Sequence, residues 1–376
     1  MPRLDDVCAI TMGQSPDSST YNKECNGLPF FQGNADFGES HPSVRMWCSE
    51  PSKIARENDI LISVRAPIGA LNIANCECCI GRGLAALTVN NDICTREYLW
   101  YALSSKIDEL NSKGTGSTFK AVNKSTLSET EIPLPPLDEQ RHIAATLDKV
   151  SDLISKRRQQ LDKLDELVKA RFVEMFGDPV SNPYDWNLRG LLQLGDCKNG
   201  MNFHSTDIGV NVHCLGVGDF KNLSCISDTS KLPTVSLTGM PSDEYMLKDG
   251  DIVFVRSNGN KALVGRSLVV YPATTPTTFS GFCIRFRLHC DEVKADYLLR
   301  VLKTDSIRKK MAGRGANIQN LNQKILGELQ IPVPPLDLQN QYTGFVEQIE
   351  KTKVTISHSL EKLETLKKAL MQEYFN

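Results

Sequence analysis

The residues of this 376-residue sequence best suited to chemistry are arginines, lysines, asparagines and glutamines gathered in two places. The first set is Gln32, Asn34, Arg65, Lys120 and Lys124; the second is Arg256, Asn258, Lys261, Arg314, Asn317 and Gln319. Arginine and lysine bind guanine edges, asparagine and glutamine bind adenine edges, and all four hold phosphate oxygens. Such sets fit base readout, with Arg65, Arg256 and the amides on bases and Lys120 and Lys124 on phosphate. Any surface loop is polar, so the argument rests on the paired placement and not on one residue.

Motifs for bond-making chemistry are missing. The sequence holds no Walker A phosphate loop, no HExxH zinc helix and no GxSxG nucleophile elbow. His41, His142, His204, His213, His289 and His358 stand at no triad or ligand spacing. Cys76, Cys78 and Cys79 invite a zinc reading, but the paired two-residue spacing is lacking and no matching Cys or His pair follows. Ser181-Asn-Pro-Tyr-Asp-Trp186 approaches the Asn-Pro-Pro-aromatic signature of amino-methyltransferases, yet lacks the second proline and a Gly-rich cofactor loop, and is expected to be a linker.

Composition is that of a soluble protein, 40% hydrophobic and 23% charged. With no run of 18 apolar residues and no cleavable leader, a cytoplasmic protein without membrane contact is expected, and most of its 12 cysteines should be reduced, buried thiols. A net charge of -2 gives no general attraction to a polyanion, so nucleic-acid binding must come from local patches or from partners.

The elements that would position the two sets form a repeat. Ile132-Pro-Leu-Pro-Pro-Leu-Asp-Glu-Gln140 returns as Ile331-Pro-Val-Pro-Pro-Leu-Asp-Leu-Gln339, an offset of 199 residues. That register runs without a gap from Arg96–Gly177 against Ala295–Asn376, with 23 identities in 82 positions. The prolines exclude helix and make a stiff connector. Asp138 and Asp337 follow as candidate N-caps of a long helix.

In the first helix Ile143, Leu147, Val150, Ile154, Leu161, Leu164 and Val168 alternate in steps of three and four, with Arg157 as an interruption. The second gives Tyr342, Val346, Ile349, Ile356, Leu360, Leu363 and Leu370, interrupted by Lys353 and Lys367. Both are coiled-coil seams. From Asp138 to Phe176, at about 1.5 Å per residue, the rod is roughly 58 Å long. An antiparallel pair within one chain is the economical arrangement, with a dimerisation seam between two chains as the alternative.

The expected fold is therefore α/β: two globular recognition domains separated by a pair of long antiparallel coiled-coil helices, in a pseudo-two-fold repeat. The expected segments are 1–131 and 178–330 for the globular domains, and 132–177 and 331–376 for the connectors with their helices. Strands Asp59–Arg65 and Asp251–Arg256 each end in an arginine, and Phe31–Phe37 faces Leu215–Phe220 as a Gly-containing turn before Asp-Phe. The surroundings of these strands and turns diverge between the halves, as variable reading loops on a fixed frame would.

Pro-Leu-Pro-Pro-Leu-Asp-Glu-Gln140 before a helix ending in Arg171-Phe-Val-Glu-Met-Phe-Gly-Asp-Pro179, followed by Asn182-Pro-Tyr-Asp-Trp186, resembles the specificity (S) subunits of Type I restriction-modification systems over essentially the whole chain. The resemblance implies two target-recognition domains reading the halves of a split double-stranded DNA site. It implies no catalytic site and no cofactor in this chain. Two modification (methyltransferase) subunits would bring S-adenosylmethionine, and restriction subunits would bring ATP and Mg. Leu338 stands where the first copy has Glu139, and the chain ends at Asn376 directly after its second helix, as expected of an untruncated chain. The residues alone leave two alternatives, a protein scaffold that never touches DNA and a single-chain methyltransferase.

Overall fold

A computed structural model describes residues 1–114, 120–203, 208–220, 223–312 and 320–375. By their contacts these divide into two compact units, Met1–Gln159 with Ile356–Asn376, and Gln160–Thr355. The division falls inside each of two 40-residue helices, Leu137–Phe176 and Leu336–Phe375, so each unit holds one globular half and a segment of both helices.

In the first unit an antiparallel sheet runs in the order Cys8–Met12, Leu84–Val89, Ile60–Ser63, Leu71–Ile73. A second, mixed sheet holds Leu28–Phe31 between Trp47–Cys48 and Cys78–Ile80. The second unit has Asp251–Val255 between Cys283–Leu288 and Ser267–Val270, and a smaller sheet centred on Val210–Leu215. Fully buried strands such as Ile60–Ser63 and Asp251–Val255 explain their unbroken apolar runs. Helix and sheet are mixed as expected, but the sheets are mainly antiparallel rather than assembled from βαβ crossovers.

Each core joins a sheet, the helix behind it and both long helices. In the first unit Ile60, Ile62, Leu87, Tyr98, Leu99 and Leu127 pack with Ile143, Leu147 and Phe375. In the second, Ile252, Phe254, Phe286, Tyr297, Leu298 and Leu326 pack with Phe172, Phe176 and Tyr342. The 199-residue offset relates Phe176 to Phe375 and Tyr98 to Tyr297, yet the ring contacts are exchanged. Tyr98 meets Phe375 at 5.3 Å, and Tyr297 meets Phe176 at 4.8 Å. The helix of each repeat thus ends in the core built on the other repeat's sheet.

The seam residues named from periodicity are all buried or half-buried. Polar interruptions are partnered: Lys353 Nζ donates to Asp165 Oδ1 at 2.9 Å and Glu350 Oε1 at 3.0 Å, and Lys367 lies over the Tyr101 ring at 5.8 Å. Within the first unit Arg158 pairs with Glu364 at 2.6 Å, while Ile143 and Leu147 share a core with Phe375. The two helical segments there run in opposite senses.

The repeated motif works through its glutamine. Gln140 Nε2 donates to the carbonyls of Ile93 (2.9 Å) and Pro135 (2.8 Å), and its Oε1 accepts from Thr95 N at 2.9 Å. Gln339 makes the same three bonds with Glu292, Pro334 and Lys294. Both side chains are fully buried, so every polar atom needs these partners. Tyr98 and Tyr297 complete each clamp by donating to the carbonyls of Pro133 and Pro332.

The aspartates are not the N-caps. The helices begin at Leu137 and Leu336, because the Pro136 and Pro335 carbonyls already accept from Gln140 N and Gln339 N. A proline's fixed φ suits a first turn, leaving Asp138 exposed inside it and paired with Arg141 at 2.9 Å. The stretch after the first helix is an ordered stop, not a linker. Gly177 takes φ +73°, Asn182 brackets Trp186 with two hydrogen bonds, and Trp186 Nε1 donates to the Phe176 carbonyl at 3.1 Å.

Candidate nucleic-acid interface

The candidate site of the first unit grows from the end of strand Leu28–Phe31. There Asp36 Oδ2 accepts from Gln32 N at 2.8 Å and Gly33 N at 3.3 Å, which fixes the turn Asn34–Asp36. Gly81 N donates to the Phe31 carbonyl and Gly83 N to the Gln32 carbonyl, drawing the loop Gly81–Gly83 alongside. A Cβ on Gly83 would lie 2.5 Å from the Gln32 carbonyl oxygen, so this approach requires glycine.

Strand Ile60–Ser63 ends on the same spot. Val64 N donates to the Gly83 carbonyl, and Ser63 Oγ bridges the carbonyls of Arg65 (2.8 Å) and Pro67 (2.7 Å), holding the bend. Gln32, Gly33, Asn34, Ser63, Arg65, Ala66, Arg82 and Gly83 together line an open cavity of about 250 Å³. Arg65 pairs with Ala121 in an isolated bridge, which brings exposed Lys120 beside the rim. Lys124 is exposed in the first turn of helix Lys124–Ser128, whose start is capped by Asn123.

Three of the sequence-selected residues, Gln32, Asn34 and Arg65, thus converge, with Lys120 adjacent. Arg82 was missed. Its signal was the run Gly81-Arg-Gly83, an arginine held out between two glycines that a close backbone approach demands.

The second unit repeats the frame with other side chains. Gly216 N donates to Asp219 Oδ2 at 2.8 Å and Ser280 N to the Leu215 carbonyl, matching the first turn with one residue fewer. Arg256 N donates to the Phe282 carbonyl and Leu321 N to the Arg256 carbonyl, as Val64 N does to Gly83 and Val122 N to Val64. Gly83 and Phe282, like Val122 and Leu321, stand 199 residues apart. Arg256 is therefore the counterpart of Val64, and the counterpart of Arg65 is Ser257. Because side chains alternate along a strand, the two terminal arginines point to opposite faces.

Of the other residues, Asn258 Oδ1 accepts from Asn260 N, and Lys261 opens the short helix Lys261–Leu263. Arg314, Asn317 and Gln319 lie outside the described residues. The remaining arginines of this sheet are structural. Arg287 makes a two-pronged pair with buried Asp251 at 2.8 Å for both bonds, and Arg285 pairs with Asp196. Among the described residues no group of His, Cys, Asp and Glu is arranged to hold a metal ion. Cys78 is buried and its thiol pushed up to about 12 by that burial. No described helix is long and apolar enough to cross a membrane.

A family model for the Type I restriction modification DNA specificity domain matches residues 1–165 and 218–367, both copies of the repeat. The chain belongs to that family. A Methanocaldococcus jannaschii protein provisionally named as the MjaX specificity subunit is 44% identical over 160 residues, 43% of this chain and 38% of that relative's own length. The type I restriction enzyme MjaVIII specificity subunit of the same organism is 24% identical over 85% of this chain and 78% of its own. A crystal structure of the S subunit of a Type I restriction-modification system from M. genitalium covers 100% of this chain and 95% of that one, with a TM-score of 0.59 at 17% identity, a likeness of fold. The family is one of specificity components rather than catalytic ones.

Proposed function

We propose that this chain reads a bipartite double-stranded DNA site, one half with each unit, and that its two long helices, paired as an antiparallel coiled coil, set the unread gap. It would direct methylation and cleavage by partners: two modification subunits that bind S-adenosylmethionine, and restriction subunits that use ATP and Mg. The observation that carries the reading is the cavity of Gln32, Asn34, Arg65 and Arg82 at a strand end, whose counterpart in the second unit keeps the backbone frame and changes the side chains. Guanidinium and amide groups on a rigid rim suit base edges, and Lys120 and Lys124 suit flanking phosphate. With a net charge of -2, affinity would come mainly from the assembled complex.

The test is methylation mapping of DNA from cells that express the full chain with its modification partner. The expected result is adenine methylation at a split motif, and a variant lengthened by one heptad in both helices should widen the gap while both half-sites stay the same. Methylation at one continuous motif, or half-sites that change with helix length, would contradict the reading.

A further inference from the structure

The position of Gly83 in the first unit is held in the second by Phe282, a side chain left 60% exposed. A single exposed aromatic is ordinary on a protein surface, but this one occupies a defined place in the reading frame. Its carbonyl accepts from Arg256 N at 2.8 Å and Ser257 N at 3.4 Å, and its own N–H donates to Ser280 Oγ at 3.3 Å. The backbone is thus fixed on both sides of the ring.

Two features admit the ring. In the first unit a Cβ at this place would strike the Gln32 carbonyl oxygen, whereas the turn Gly216–Asp219 is one residue shorter and begins with glycine. Beside Phe282, Gly281 replaces Arg82, and the exposed Asn202 side chain comes up to it, its Oδ1 2.0 Å from where a Cβ would lie. Arg82 becomes Gly281, Arg65 becomes Ser257, and the shorter turn, with Gly216 at the place of Gly33, has no counterpart of Gln32. Among the described residues, the places of Arg82 and Arg65 carry no charge in the second unit, and the place of Gly83 carries an exposed apolar ring.

Resting on the base-reading function proposed above, we infer that Phe282 recognises the 5-methyl group of a thymine in the half-site read by the second unit. Among base edges in the major groove that methyl is the apolar feature, and phenylalanine is one of the side chains suited to it.

The experiment uses the full chain assembled with its modification subunits and the duplex found by methylation mapping, with each thymine replaced in turn by deoxyuridine, which removes only the methyl. The expected result is one position where deoxyuridine weakens binding about three- to fivefold, the size of one buried methyl contact. That position lies in the half-site that Arg65→Ala leaves unaffected. Phe282→Ala should bind the thymine and deoxyuridine duplexes equally, and Phe282→Leu should retain part of the preference. The inference is overturned if no deoxyuridine position matters, if Phe282→Ala keeps the preference, or if it weakens both duplexes alike. Sequence-specific binding without deoxyuridine sensitivity sinks this inference alone, whereas equal binding to random duplex by the assembly sinks the function it rests on.

Discussion

In the first unit Arg65 and Arg82 stand with Gln32 and Asn34 around a polar cavity; in the second unit Ser257 and Gly281 take the places of the two arginines, Val217 that of Asn34, and Phe282 that of Gly83. The paired strands and the glutamine clamp beneath recur in both, as does an aspartate-fixed turn that is one residue shorter in the second unit. Positions that answer to the core or to buried backbone groups are repeated, because any change there strands a polar atom or opens a cavity. Positions that face outward at the strand ends are free to differ. Duplication has therefore kept one scaffold under two surfaces of different chemistry.

The sharpest way to break this comparison is to strike the exchanged aromatics. Phe375→Ala should cost about 3–5 kcal/mol and speed amide exchange in the first unit, although Phe375 belongs to the second repeat; Phe176→Ala should do the same to the second unit. Exchange measured by mass spectrometry checks it, and acceleration confined to a variant's own repeat would contradict the exchanged packing. Next in size, Gln140→Ala and Gln339→Ala should cost similar amounts, about 2–3 kcal/mol each, since their three hydrogen bonds correspond. A large difference between them in denaturant titration would show that the two clamps are not equivalent.

Gly83→Ala should cost on the order of 1 kcal/mol, because its Cβ meets backbone rather than a movable side chain, and weaken binding to the first half-site only. Phe282→Gly, which removes a side chain where Gly83 has none, should leave that half-site untouched in the same binding titration. The smallest effect concerns Lys303, the counterpart of Ser104. Burial lowers its ammonium from 10.5 to about 8 while Nζ donates to Ser224 Oγ. A folded value below the unfolded one means that its stability contribution is present above pH 10.5 and lost as pH falls through 8. Relative to wild type, Lys303→Met should therefore gain most in Tm near pH 7 and less toward pH 10, a trend that scanning calorimetry at several pH values would reveal or refute.

Much of the frame was legible from the chain. The 199-residue offset, the two helices and their apolar seams follow from spacing, because burial along a helix imposes its period on residue type. The glutamine clamp was not legible, since a buried amide with three backbone partners looks like any polar residue beside Asp138. The N-cap expectation failed for a local reason: Pro136 and Pro335 already carry the first helical carbonyls. In the candidate site, Gln32, Asn34 and Arg65 could be chosen by residue type, but Arg82 is brought to them only by loop closure around Gly81 and Gly83. Arg256 looked like the partner of Arg65 because both end a strand; in the matched frame it stands one position earlier, at the place of Val64, which turns it to the other face.

The account's central claim is that two different surfaces on one repeated frame read separate halves of a DNA site. The most direct measurement is methylation mapping with the chain carrying Arg65→Ala and Arg82→Ala, in cells that supply its modification partner. The account predicts that one half-site loses definition at the contacted bases, by about 1–3 kcal/mol of discrimination per contact, while the other half-site and the gap stay as in wild type. Loss of definition in both halves, or in neither, would contradict it.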